Sequence, residues 1–276
     1  MANSRLVGLA FVSVVVVIAG ALAAAPKAAP GAHPVVWASY SYLIGGSVDA
    51  RWKGAEEIAP LLKGGERYRL YTMTKLLGEG TGSKPAESEE EATVFRVLEL
   101  KITPCPDAEG EIVGVCGNWN ALPRVPTLQS TSQKVYQDVI RALLNRKGFP
   151  GSPVKIIQIL RVDLEGDGQD EVLITASTIK TDPLMPGHKQ GDYSLVLLRK
   201  IVKGQVKEIL LTSELHKKSE DFSAPMVFEV VGVLDLDGDG VMEIVTRERY
   251  YEGMSLCVYA VKGAEGKMVL SGGWGA

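Results

Sequence analysis

Histidine is nearly missing from this 276-residue chain, which has only His33, His188 and His216. No pair of them falls on one helix face and no serine sits in a nucleophile-elbow frame, so neither a zinc-hydrolase pattern nor a nucleophile with its base is written in the sequence. All three are expected to be solvated rather than catalytic. Positive charge is not in excess either: 30 lysines and arginines against 33 aspartates and glutamates leave a formal charge of −3. Nothing in that balance favours a nucleic-acid backbone as partner. Cysteine stops at three. Cys105 and Cys116 flank a short stretch that a disulfide would close, or they are two free thiols, whereas Cys257 lies in an alternating run and reads as a buried apolar residue.

Long apolar runs are also scarce, and the one from Leu6 to Ala25 follows Arg5 and ends in small residues. Residues 1–25 therefore read as a signal peptide cut near residue 23, or as an uncleaved membrane anchor of just sufficient length. Either way the folded part is expected outside the cytoplasm, secreted or on the extracytoplasmic cell surface, with any membrane contact confined to an uncleaved N-terminal segment. Residues 26–34, rich in Ala and Pro, read as a poorly ordered linker.

What the chain has in quantity is strand pattern. With 46% hydrophobic residues it can build a sizeable core. In the N-terminal α+β region, residues 35–150, β-branched and aromatic runs cover Val35 to Ile44, Tyr68 to Leu77 and Thr93 to Ile102. Glu56 to Leu62 is expected to form a short helical turn, and Gly78 to Glu91 a solvated loop. A helix is predicted over about 132–147, capped by Ser130, Thr131 or Ser132, with a stripe of Val135, Val139, Ile140, Leu143 and Leu144 and a stop at Gly148.

Residues 151–276 repeat themselves. Asp163-Leu-Glu-Gly-Asp-Gly-Gln-Asp-Glu171 recurs 72 residues later as Asp235-Leu-Asp-Gly-Asp-Gly-Val-Met-Glu243. Acids at the first, third, fifth and ninth places can converge on one hard cation, while glycine at the sixth lets the backbone turn and present the seventh carbonyl. Each copy is entered and left by strand-like runs, Val154 to Val162 and Val172 to Ala176 in the first, Val227 to Leu234 and Ile244 to Tyr250 in the second. Two further strands follow in each, so the repeat is a four-stranded antiparallel unit close to a propeller blade. An insertion including Asp182 to His188 interrupts the first unit. An EF-hand is excluded, because its twelfth-place acid is replaced by Ile174 and Thr246 and the flanks alternate as strands.

These two stretches, Val162 to Ile174 and Leu234 to Val245, resemble the FG-GAP and VCBS repeats that include the calcium-binding blades of integrin-like β-propellers. The resemblance covers about residues 154–276. It implies two structural Ca²⁺ sites, one held by Asp163, Glu165, Asp167, the Gln169 carbonyl and Glu171, the other by Asp235, Asp237, Asp239, the Val241 carbonyl and Glu243. Glu165 departs from the usual Asp or Asn, and the ninth-place glutamates from aspartate, so the first site is expected to be the looser. The function that follows is a non-catalytic interaction module for an extracellular protein or glycan, with Tyr250-Tyr251 as a candidate contact edge. The alternative is a secreted hydrolase on a propeller-like scaffold.

Overall fold

The computed structural model describes residues 31–88, 97–180 and 187–275. Segment 1–25, residues 26–30 of the linker, residues 89–96 and residues 181–186 within the insertion lie outside the described residues. Among those described, the protein is mainly β, with an N-terminal α+β region followed by two antiparallel units whose four main strands are ordered as in propeller blades.

The first sheet contains β1 (Ala32–Trp37), β2 (Tyr42–Val48), β3 (Arg51–Gly54), β4 (Arg67–Tyr71), β5 (Leu76–Gly82), β6 (Ala86–Glu87), β7 (Leu98–Glu99), β8 (Ile102–Thr103) and β9 (Val113–Val115). Helix α1 (Ala55–Ile58) and a 3-10 turn (Ala59–Leu61) sit where the helical turn is expected. Strand β9 is buried throughout and pairs antiparallel with both β1 and β4, placing Val113 between Trp37 and Tyr71. Two expectations are corrected here. Ala32, His33 and Pro34 belong to β1, because their backbones pair with Val48, Ser47 and Gly46 rather than lying in a linker. Much of Gly78 to Glu91 is strand: β5 pairs with β4, and its glycines serve close packing, since a Cβ on Gly82 would lie 2.5 Å from the Tyr68 ring.

The second sheet runs β10 (Thr127–Leu128), β11 (Ile156–Val162), β12 (Glu171–Ser177), β13 (Tyr193–Val202), β14 (Gln205–Leu215). The third runs β15 (Val227–Leu234), β16 (Glu243–Tyr250), β17 (Gly253–Lys262), β18 (Glu265–Gly275). One central core takes side chains from all three sheets, among them Trp37, Ile44 and Tyr71, then Leu160, Leu173 and Val196, then Phe228, Ile244 and Leu256. Strand β18 closes against β2: a Cβ on Gly272 would lie 3.1 Å from Ile44 Cδ1. Cys257 is buried in this core, and Cys105 and Cys116 are free thiols.

Helix α2 (Lys134–Arg146) explains why the strands of the second sheet are apolar on both faces. Alternation along β11 to β13 sends Leu160, Leu173, Val196 and Leu198 into the central core, and Ile159, Ile174, Leu195 and Leu197 against Ile140, Leu143 and Leu144 of α2. The helix thus packs on the second sheet, not on the first. Gln133 is its N-cap, the preceding serines bond each other, and Gly148 ends it at φ +88°. Val135 faces outward, 56% exposed, so the buried stripe is completed by Tyr136 rather than by Val135.

Replacing Leu144 with Ala should cost about 2–5 kcal/mol in a urea titration. Val135→Ala should change stability by about 0.5 kcal/mol or less. Equal losses would contradict this docking of α2.

Candidate metal centre

Each acidic loop is closed at the same register, with Val162 opposite Glu171 and Leu234 opposite Glu243. The fourth- and sixth-place glycines take left-handed conformations in both copies, φ +74° and +84° at Gly166 and Gly168, +76° and +83° at Gly238 and Gly240. Those angles suit glycine and strain other residues. They turn successive N–H groups inward onto the first-place aspartate. Asp163 accepts from Gly166 (2.6 Å), Asp167 (3.1 Å) and Gly168 (2.8 Å); Asp235 accepts from Gly238 (2.7 Å) and Gly240 (3.0 Å). The fifth-place aspartates accept from Gln169 (2.9 Å) and Val241 (2.8 Å). Glu171 and Glu243 reach back to the second-place N–H groups of Leu164 (2.8 Å) and Leu236 (2.9 Å), fastening loop to hairpin.

The second copy is a convergent, buried acid cluster. Carboxylate oxygens of Asp235, Asp237 and Asp239 lie within 4.8 Å of one another, and Glu243 is only 4% exposed. Among the described residues no lysine, arginine or histidine forms an ion pair with any of these four. Burial, reinforced by the neighbouring carboxylates, pushes Asp235 and Asp237 up to about 6 and Glu243 well above its ordinary value; burial also raises Asp239. An all-oxygen donor set under mutual repulsion fits a hard cation.

The first copy shares the backbone but not the charge arrangement. Asp167 and Gln169 are exposed, and the third-place Glu165 is ion-paired with the ammonium of Lys200, a side chain only 5% exposed. Asp170 pairs with Arg161 at 2.8 Å. Glu171 is buried and pushed up to about 7, by desolvation first and by Glu165 and Asp167 as well, against the opposing pull of its Leu164 hydrogen bond and of Lys200. Among the described residues only Asp235, Asp237 and Asp239 converge as a metal-type cluster.

A short segment clamps the two loops together. Arg124 donates to the carbonyls of Asp163 (2.5 Å) and Leu164 (2.8 Å) in the first loop and Gly240 (2.8 Å) in the second. Trp119 donates to the Asp235 carbonyl (2.8 Å), and its ring lies 3.0 Å from where a Cβ on Gly238 would be. Ala121 O accepts from Asp235 N, and Met242 N donates to Leu164 O, so the loops also touch directly. In the sequence Trp119 is one of several aromatics, and neither local period nor spacing ties Trp119–Arg124 to acids so far along the chain.

The histidines also depart from expectation. His188 and His216 stack with centroids 3.5 Å apart, His188 Nδ1 lies 2.8 Å from Ser223 Oγ, and His216 Nε2 lies 2.9 Å from Glu214. A cavity of about 380 Å³ opens beside them. Burial holds His216 below its usual value despite Glu214. Comparison with protein-family models, curated proteins and solved structures finds no match for this chain.

The raised acids set a pH dependence for the protein in chelator. A folded carboxyl near 6 keeps its proton where the unfolded chain, near 3.8, has released it, so folded stability falls as pH rises through that window. Asp237→Asn removes one such acid. At pH 7 in chelator the variant should be more stable than the parent by on the order of 1–3 kcal/mol, and near pH 4 the difference should vanish. Urea midpoints across that range measure it, and a constant difference would refute the assignment.

Proposed function

We propose that this is an exported β-repeat protein of FG-GAP/VCBS type, stabilised by calcium at its second acidic loop and serving as a non-catalytic interaction module for a protein or glycan outside the cell. The observation that carries the calcium reading is the set of three buried carboxylates, Asp235, Asp237 and Glu243, beside the half-buried Asp239, with no basic partner among the described residues. A hard cation neutralises them, and the Val241 carbonyl at the seventh place supplies a further oxygen of the type calcium takes. Its role is stapling: the loop joins β15 to β16, and through Trp119 and Arg124 it joins all three sheets. Exposed Tyr251, at the turn between β16 and β17, offers an aromatic contact on the edge of that unit.

Calcium at 100 times its dissociation constant stabilises by about 2.7 kcal/mol. That corresponds to a Tm about 5–10 °C higher than in chelator. Asp239→Ala should abolish the difference, and a parent chain indifferent to chelator would refute the reading. For the interaction role, the parent and the Asp235→Ala/Asp239→Ala double variant are screened for glycan binding beside generic hydrolase substrates; binding by the parent without turnover is the expected result.

The hydrolase alternative is favoured by the hydrogen bond of Ser223 to His188 beside a cavity. Turnover by the parent that disappears in Ser223→Ala would establish it over the module.

A further inference from the structure

The two loops have nearly the same backbone and opposite solutions to the same electrostatic problem. In the second unit Ile244 pairs with Tyr259, and in the first Val172 pairs with Arg199, so the next residue along the third strand of each unit holds an equivalent place. In the second unit that residue is Ala260. In the first it is Lys200, buried, with its ammonium on Glu165. The third-place acid differs in the same sense: Asp237 in the metal-type cluster, the longer Glu165 where the chain supplies a lysine.

We infer that Lys200 is a built-in counter-cation for the first loop, so that this loop is closed without metal and the chain takes one calcium ion, at the second loop. The inference rests on the reading of the second loop as a calcium site. A fixed ammonium beside Glu165 occupies one prospective ligand and repels a divalent ion entering the same loop. The backbone N–H bonds to Asp163 and Glu171 recur on Asp235 and Glu243, so the first loop is set apart by charge: Lys200 on Glu165 and Arg161 on the neighbouring Asp170. The Glu165 side chain, longer by one methylene than the usual aspartate, is then the partner of Lys200 rather than a loosened calcium ligand.

Calorimetric titration of the chain with calcium alone, paired with melting curves in calcium and in chelator, tests this. The parent should bind one ion; Asp167→Ala should still bind one, and Asp239→Ala none. Lys200→Met should bind two. The reciprocal change, Ala260→Lys, should abolish calcium binding and make Tm insensitive to chelator. Two ions on the parent, with one lost in Asp167→Ala, would overturn the role of Lys200 while leaving the second-loop site intact. A folded Lys200→Met that still binds one ion would overturn it as well. Should that variant fail to fold, the parent and Asp167→Ala stoichiometries decide the question. No binding by the parent, with Tm unchanged in chelator, would instead overturn the second-loop reading itself.

Discussion

Carboxylates taken out of water lose hydration and repel one another, and this constraint governs how the second repeat is built. Asp235, Asp237 and Glu243 are almost wholly buried beside Asp239, and backbone N–H groups of the loop are aimed at their oxygens. Those hydrogen bonds stabilise the charged forms, yet burial outweighs them, since the acids still sit above their ordinary values. Peptide dipoles alone therefore leave the cluster under-compensated. On the proposed reading, a hard cation supplies the compensating charge.

The same cluster lies where the sheets meet. Asp235 immediately follows β15, whose Val233 and Leu234 are in the central core, and its own N–H reaches Ala121 just after Trp119. Ala121 N in turn donates to the Tyr71 hydroxyl of β4. A second connection between the first and third sheets runs through Arg247, which binds Glu111 at 2.6 Å and also pairs with Glu229, while Glu111 accepts from the Trp37 indole at 2.6 Å. Disturbing the acidic loop thus has a direct path into the N-terminal sheet, and on the proposed reading that coupling lets a metal there staple more than one hairpin.

How much of this is legible in the sequence depends on how local the cause is. Strand β15 matches its apolar run, the hairpins around both acidic motifs follow from alternation and loop glycines, and α1 and α2 follow from local pattern. Strand β9 was not legible: three residues, Val113 to Val115, carry no period, and they are strand only because β1 and β4 flank them. The glycine-rich stretch at Gly80 and Gly82 reads as loop by composition, but the absent side chains make room for Ile102 and Tyr68. Val135 fits the helical period equally well inside or out, and only the docking of α2 on the second sheet decides its exposure. The same limit applies to the site. The acid spacing shows in the sequence, whereas Lys200 is 35 residues from Glu165 and meets it only through the register of β12 with β13.

The repeated spacing of acids and glycines accounts for the shared geometry, and the surroundings account for the divergence. Around the first loop the protein places Lys200 on Glu165, Arg161 on Asp170 and Arg124 on two carbonyls, whereas the second loop shares only Arg124, through the Gly240 carbonyl. Around the second, the ring that takes the Arg124-like place against the fourth-position glycine is the neutral indole of Trp119, and Ala260 stands where Lys200 would be. The second loop is also the more deeply buried of the two, so it has less water to screen its acids and fewer protein cations to offset them. Both differences act in the same direction. They concentrate uncompensated acid in one repeat, while the other, with the same turn and the same ninth-place glutamate closing it, has Lys200 of its own chain on Glu165.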